Sequence, residues 1–232
     1  MEKLLECKQL CKQFGDKVVL DNINFTLEPG SIVGLLGRNG QGKTTLLKLI
    51  NGLLIPTSGE VLVKGQRPGV ESKRIIAYLP ERTYLNKNFT VSETIKMFSE
   101  FYVDFDQDKA RQLLADLELS TDQKIVKMSK GMQEKLQLAL VMARPAELYL
   151  LDEPLGGVDP ATRDYILDTI LSNFQDGASV LISTHLIADI ERILDEVIFL
   201  DHGKIVLHER TDELRAKEKQ SIDEIFRRKF KC

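Results

Sequence analysis

This chain is poor in cysteine, in histidine, in long apolar runs and in any excess of positive charge, and each shortage removes a class of function. Cys7, Cys11 and Cys232 are its only three cysteines, too few for a disulfide framework. Cys7 and Cys11 could form half a metal site, but no other cysteine and only three scattered histidines remain to complete it. They read as ordinary reduced cysteines of a cytoplasmic protein. No apolar run approaches the ~20 residues of a membrane-spanning helix. Met1-Glu2-Lys3-Leu4-Leu5-Glu6 lacks the apolar segment of a signal peptide, so the chain is expected to be soluble by itself. Lys plus Arg number 32 against 35 Asp plus Glu, a net charge of −3. That balance leaves no basic footprint for nucleic acid. No repeat or low-complexity segment is present.

What the chain does have is length and one dense motif. Its 232 residues suffice for one large domain or two small ones with a real core. Gly37-Arg38-Asn39-Gly40-Gln41-Gly42-Lys43-Thr44 fits the phosphate-loop pattern G-x-x-x-x-G-K-[ST]. The apolar run Ser31–Leu36 before it reads as a buried strand, and Thr45–Ile50 after it as the first turns of a helix. Glycines let the backbone wrap round an anion so that consecutive N–H groups face phosphate oxygens. The helix start adds unsatisfied donors and the positive end of its dipole. Lys43 supplies a point charge for the outer phosphates and the Thr44 hydroxyl a ligand for Mg²⁺. The alternative, a glycine-rich turn that binds nothing, does not account for Lys and Thr in place between two fitting elements.

Around this motif the pattern alternates. Leu4–Cys7, Val18–Leu20 and Ile23–Leu27 read as strands, with turns at Gly15-Asp16 and Pro29-Gly30. Gly59–Gly65 encloses another strand, and Ile75–Leu79 is a buried one stopped by Pro80. Thr90-Val91-Ser92-Glu93 is a capping box, followed by Ile95, Phe98 and Tyr102 at helical spacing. Ala110, Leu113, Leu114 and Leu117 form a second stripe. Residues from about 86 to 128 read as a helical insertion, and with the long helix after Gly131 the helical subdomain extends to about 143. Leu148–Leu151 and Val180–Ser183 are strands apolar on both faces. Val197–Leu200 and Lys204–Leu207 form a hairpin through Asp201-His202-Gly203. An extension from about 211 to 232 holds a capping box, Ser221–Glu224, and a helix ending in Arg227, Arg228, Lys229 and Lys231. Those cations read as a solvated helix end matched to the dipole rather than a membrane patch.

Three further features carry chemistry. Leu150-Leu151-Asp152-Glu153 delivers two carboxylates at a buried strand's C-terminal end, where open α/β sheets place ligands. Asp152 suits Mg²⁺. Side chains alternate along a strand, so Glu153 is expected to face the outer phosphate and polarise a water. His185 ends the strand Leu181–Thr184 and can donate a hydrogen bond to charge developing on the phosphate. Met128-Ser129-Lys130-Gly131-Met132 precedes the long helix. Ser129 can cap it, and the N–H groups around Gly131 form a second anion site.

Taken together, these residues resemble the nucleotide-binding subunit of an ABC-type transporter over residues 3 to about 210. The resemblance implies an α/β fold. It would be a P-loop NTPase core with a mostly parallel sheet, an N-terminal antiparallel β subdomain and an inserted helical subdomain, all in one domain over 1–232. Gly37 to Thr44 matches the Walker A loop, and with Thr45 would bind ATP. Leu148–Asp152 matches the Walker B strand, Glu153 its general base and His185 the switch histidine. Ser129, Lys130, Gly131 and Met132 match the signature motif and Asp159 lies in the D-loop, Leu155–Asp159. Phe14 stands where the family puts an aromatic ring over adenine, a core phenylalanine being the other reading. In the family two subunits pair head to tail around ATP, as a homodimer or a heterodimer, on a separate membrane permease. Its docking helix would meet residues 81 to about 102, with Tyr84 or Phe89 as anchors. The subunit would thus lie at the inner face of the membrane through the permease.

Two departures narrow the branch. Glu81, in Tyr78-Leu79-Pro80-Glu81, replaces the family's metal-ligating glutamine and would bring charge to Mg²⁺ beside Thr44 and Asp152. The signature reads Ser-Lys-Gly-Met instead of Ser-Gly-Gly-Gln. Both variants resemble the branch that serves ABC-2-type permeases, which implies export. A non-transport ABC ATPase acting on a macromolecular complex is the alternative. Those relatives carry a long coiled coil or two cassettes, whereas this chain has one phosphate loop and no sustained heptads. A P-loop kinase or GTPase would leave the signature, the D-loop and His185 without a purpose.

Overall fold

The computed structural model describes residues 3–230, so Lys231 and Cys232 lie outside it. Among the described residues, nine strands form two sheets. β1 (Leu5–Phe14), β2 (Lys17–Leu27) and β4 (Ser58–Val63) make an antiparallel sheet in the order β2-β1-β4. The six-stranded sheet adds β3 (Ile32–Leu36), β5 (Ile76–Leu79), β6 (Leu148–Asp152), β7 (Ser179–Thr184), β8 (Glu196–Asp201) and β9 (Lys204–Arg210). Their order is β5-β6-β7-β3-β8-β9. The pairs among β5, β6, β7, β3 and β8 are parallel, and only β9 runs antiparallel, on β8.

β1 and β2 are longer than the short apolar runs suggest. The pairing slips between Cys7 and Leu10 and again between Leu10 and Gln13, and Gln9 and Asn22 take positive φ angles of 47° and 54°. These bulges interrupt the side-chain alternation that pattern reading depends on, while the strand itself continues.

The parallel strands are buried on both faces, and their residues divide between two cores with a period of two. Val33, Leu35, Leu148, Leu150, Leu181 and Ile198 face the antiparallel sheet and helix α1 (Lys43–Ile50). Leu36, Leu151, Val180, Ile182 and Phe199 face the other helices. On this side lie α3 (Val91–Phe101), α4 (Gln107–Asp116), α5 (Lys130–Met142), α6 (Pro160–Asn173), α7 (Ile187–Ile190), α8 (Thr211–Glu218) and α9 (Ile222–Phe230), whereas α2 (Val70–Ile75) packs Ile75 against the first core.

Both capping boxes form. Thr90 Oγ1 accepts from Glu93 N while Glu93 Oε2 accepts from Thr90 N, and Ser221 and Glu224 do the same at α9. α9 packs Phe226 and Phe230 against Phe199 of β8, with ring centroids 5.3 and 5.9 Å away. Arg227 pairs with Asp223 at 2.8 Å and Arg228 with Glu218, so these tail cations are engaged within the extension. Phe89 packs against the helical core and so is not a free anchor, whereas Tyr84 remains half-exposed.

One buried cation ties the helical region to the sheet. Arg144, just past α5, donates to the carbonyls of Lys73 (3.1 Å), Arg74 (3.3 Å) and Ile76 (2.8 Å). The same guanidinium binds Asp104 at 3.0 Å and lies 4.2 Å over the Tyr102 ring. Truncation would strand buried acceptors on both sides. Arg144→Ala is expected to cost about 3 kcal/mol, read as a lower urea midpoint at unchanged slope.

Candidate active site

β3, β6 and β7 end at one edge of the sheet because their registers align. Leu36 lies beside Thr184, and Asp152 beside Ser183. The phosphate loop leaves β3 at that edge. A Cβ at Gly37 would stand 2.6 Å from the Leu200 carbonyl oxygen, so the close approach of two backbones requires glycine there. Gly42 takes φ 107°, and a Cβ there would meet Leu20 Cδ2 at 2.7 Å. α1 then starts with no side chain capping it and no acid in its first turn. Its first N–H groups are therefore left for an anion.

Lys43 is 5% exposed. Its Nζ donates to the carbonyls of Gly37 (2.7 Å) and Arg38 (3.2 Å), and lies 3.1 Å from Glu153 Oε1. The ammonium is thus held under the loop, paired with the carboxylate. Arg38 donates to the carbonyl of Phe230, and Gln41 Oε1 accepts from His202 N, so the tail and the β8–β9 turn brace the loop.

Asp152 faces α1, on the same side of the sheet as Leu150. Its Oδ1 accepts from Ser183 Oγ (2.6 Å) and Thr44 Oγ1 (3.1 Å), while Oδ2 is buried with no hydrogen-bond partner among the described residues. Burial pushes this carboxyl above the usual carboxylate range. The bonds from Ser183 and Thr44 oppose the rise, and the charges of Glu81 and Glu153 add to it. A divalent cation on Oδ2 would relieve both the orphaned oxygen and the crowded negative charge, so this donor set fits Mg²⁺.

Glu153 reaches the site by a route other than strand alternation. β6 stops at Asp152, and Glu153 sits in the left-handed region at φ 51°. Such a conformation costs a non-glycine residue on the order of 1 kcal/mol. It is held by Glu153 N donating to Ser183 O (2.9 Å), and it turns both carboxylates towards the loop. His185 Nδ1 lies 2.9 Å from Glu153 Oε2, so Lys43 and His185 flank the carboxylate from two sides. A cavity of about 420 Å³ brings Asn39, Gly40, Gly42, Lys43, Thr44 and Thr45 together with Glu81 and Glu153.

Lys17, which no motif marks, lines the same cavity. It is paired in register with Phe14 across the β1–β2 turn. Phe14 is 47% exposed with the Lys12 ammonium 4.8 Å from its ring centre, so it is a surface platform and no core residue. Ser183 was legible only as a small polar residue within an apolar strand; its bond to Asp152 needs two strands in register.

Of the remaining candidates, Lys130 lines a cavity of about 590 Å³ together with Asn39, Glu153 and His185. Ser129 caps α5 by accepting from Met132 N (3.3 Å), and Lys130 pairs with Glu134 (3.4 Å). A Cβ on Gly131 would meet nothing within 4 Å. Asp159 caps α6 by accepting from Thr162 N (3.1 Å) and Thr162 Oγ1 (2.7 Å).

A protein-family model described as ABC transporter matches residues 20–156. The chain is 33% identical to "ABC transporter ATP-binding protein YtrB" of Bacillus subtilis, over 91% of its length and 74% of that protein's. It is 31% identical to "Nod factor export ATP-binding protein I" of Rhizobium sp. (strain N33), over 83% and 66%. A solved "Structure of ATP binding subunit of ABC transporter" superposes with a TM-score of 0.86 at 30% identity, covering 96% of this chain and 98% of that one.

Proposed function

The chain belongs to the ABC transporter ATP-binding family, and from that premise we propose that it hydrolyses MgATP to power a separate membrane permease, an exporter. The observation that carries the chemistry is Glu153, held 3.1 Å from Lys43 and 2.9 Å from His185 beside an uncapped helix start. The β- and γ-phosphates sit in the Gly37–Thr44 cradle with Thr45, on its N–H groups. Lys43 turns from the loop carbonyls to the phosphates. Thr44 Oγ1, Asp152 and Glu81 would hold Mg²⁺, which when bound would offset charge on the phosphate oxygens. Glu153 accepts the proton of the attacking water as the bond from the γ-phosphorus to the ADP oxygen breaks. His185 orients Glu153 and donates to the departing phosphate. Phe14 stacks on the adenine.

Ser129, Lys130, Gly131, Met132 and Asp159 complete the site of a second subunit. In support, no contact among the described residues accounts for glycine at 131, a residue that weakens a helix. The export reading is supported by the Ser-Lys-Gly-Met signature, by Glu81, and by relatives named for export. No helix among the described residues is long and apolar enough to cross a membrane, so we place the subunit at the inner face of the cell membrane through its permease.

Isothermal titration with ATP tests the nucleotide reading. Lys43→Ala removes a charge-assisted contact of about 1.5–3 kcal/mol, which corresponds to roughly 10- to 100-fold weaker binding. Equal affinity in a variant of unchanged circular dichroism would overturn the assignment. Isolation of the chain from native membranes tests the transport reading, which requires a multi-span protein in the complex.

A further inference from the structure

The C-terminal extension reaches two arms of the nucleotide site. At one end, Arg38 of the phosphate loop donates to the carbonyl of Phe230, the last residue of α9. A guanidinium suits that place, because the final carbonyls of a helix lack intrahelical donors and carry the negative end of its dipole. The carbonyl of Arg38 is also one of the two that accept from Lys43, at 3.2 Å. Towards the other end of α9, Asp223 N donates to Glu191 Oε2 (3.1 Å), and Arg215 of α8 donates to the Glu191 carbonyl (2.7 Å). Glu191 directly follows α7, and α7 begins two residues after His185. Between these anchors Ile222, Ile225 and Phe226 share one core with Ile187 and Ile190 of α7 and Phe199 of β8. Leu200, next to Phe199, is the residue whose carbonyl Gly37 approaches.

We infer that the α8–α9 extension is a brace that fixes the spacing between the phosphate loop and the segment from His185 to Glu191, with Arg38 and Glu191 as its positioning residues. The inference rests on the ATPase reading and adds how the reacting groups are held in place. A helix that only filled the core under β8 would need its apolar face alone. It would not need a polar anchor near each end, each on a segment that carries a group of the site. His185 meets Glu153 at 2.9 Å and Glu153 meets Lys43 at 3.1 Å. With Lys43 on the Arg38 carbonyl, the contacts close into a ring through α9. A shift of either segment changes the gap that the attacking water must fill, and misplacement by about 1 Å can cost about 100-fold in rate.

The test is steady-state hydrolysis of MgATP by the full chain as isolated from native membranes. Arg38→Ala and Glu191→Ala should each lower kcat by about tenfold, with KM for ATP changing less. Arg38→Lys and Glu191→Gln keep a donor and an acceptor at the same places and should hold the original kcat. The double alanine variant is the decisive one. The two anchors grip α9 about 10 Å apart, and independent effects at that separation multiply, to about 100-fold here. A brace released at one end is already released, so the double variant should stay within about twofold of the weaker single variant. Hydrogen exchange reads the same link with no substitution: MgATP should slow amide exchange along α9 as well as in the loop. The brace is wrong, and the ATPase reading stands, if the losses multiply or if both alanine variants keep the original kcat. Equal losses in Arg38→Lys and Arg38→Ala, or a loop protected by MgATP while α9 exchanges as before, would overturn it too. If the original chain does not hydrolyse ATP, the ATPase reading falls and takes this one with it.

Discussion

Glu153→Gln should bind ATP about as tightly as the original protein and lose hydrolysis by about 10²–10⁴, the usual contribution of a general base. The two side chains are nearly the same shape. An amide oxygen can still lie against Lys43, and the amide can still meet His185, so the loop geometry at 3.1 and 2.9 Å is kept. What is lost is the site that takes the proton. Removing a negative charge beside a polyanion also cannot weaken binding through repulsion. Titration calorimetry and phosphate release, done on the same preparation, separate the two effects. Hydrolysis at the original rate would remove Glu153 from the mechanism. Loss of binding together with hydrolysis would make it a structural partner of Lys43.

The second large effect is expected at a position where a side chain would meet none of the described residues. Gly131 lies in the first turn of α5, and a side chain there points into open space. Replacing glycine in a helix should hold or raise the stability of the folded subunit, by up to about 1 kcal/mol. Gly131→Trp should nevertheless abolish ATP-driven pairing. In the Glu153→Gln background, MgATP should convert monomer to dimer on a sizing column, and adding Gly131→Trp should leave a monomer that still binds ATP. Pairing that survives the tryptophan would refute the shared site.

The parts legible in the sequence were those whose physics is local. The phosphate loop could be read because conformation and close approach demand glycines at fixed offsets, as at Gly37 and Gly42. The buried strands were legible as apolar runs, and both capping boxes because each closes on itself within four residues. The long β1 and β2 were broken up in the reading because bulges near Gln9 and Asn22 interrupt alternation. Helices α2, α6 and α8 carry no cue as strong as the capping boxes. Phe89 and Tyr84 were indistinguishable as a pair, since only packing separates a ring that covers its own core from one left half in water.

The sequence by itself determined the kinds of group this protein brings to a nucleotide: a glycine cradle, a lysine, a hydroxyl, two carboxylates and a histidine. Their order and spacing also identified the family. Only the tertiary structure decided how those groups meet. Strand register sets Ser183 against Asp152 and α1 brings Thr44 to the same carboxylate, which keeps one oxygen without a partner among the described residues. A left-handed turn swings Glu153 between Lys43 and His185, where strand alternation would have sent it elsewhere. Arg144 gathers carbonyls some 70 positions away in the chain, and a cleft beside it collects Lys48, Lys73 and Arg82 from separate elements. The reason is the range of the forces. Turn chemistry and periodicity act between neighbours in sequence, whereas burial, charge pairing and register act between groups that only the finished fold makes neighbours.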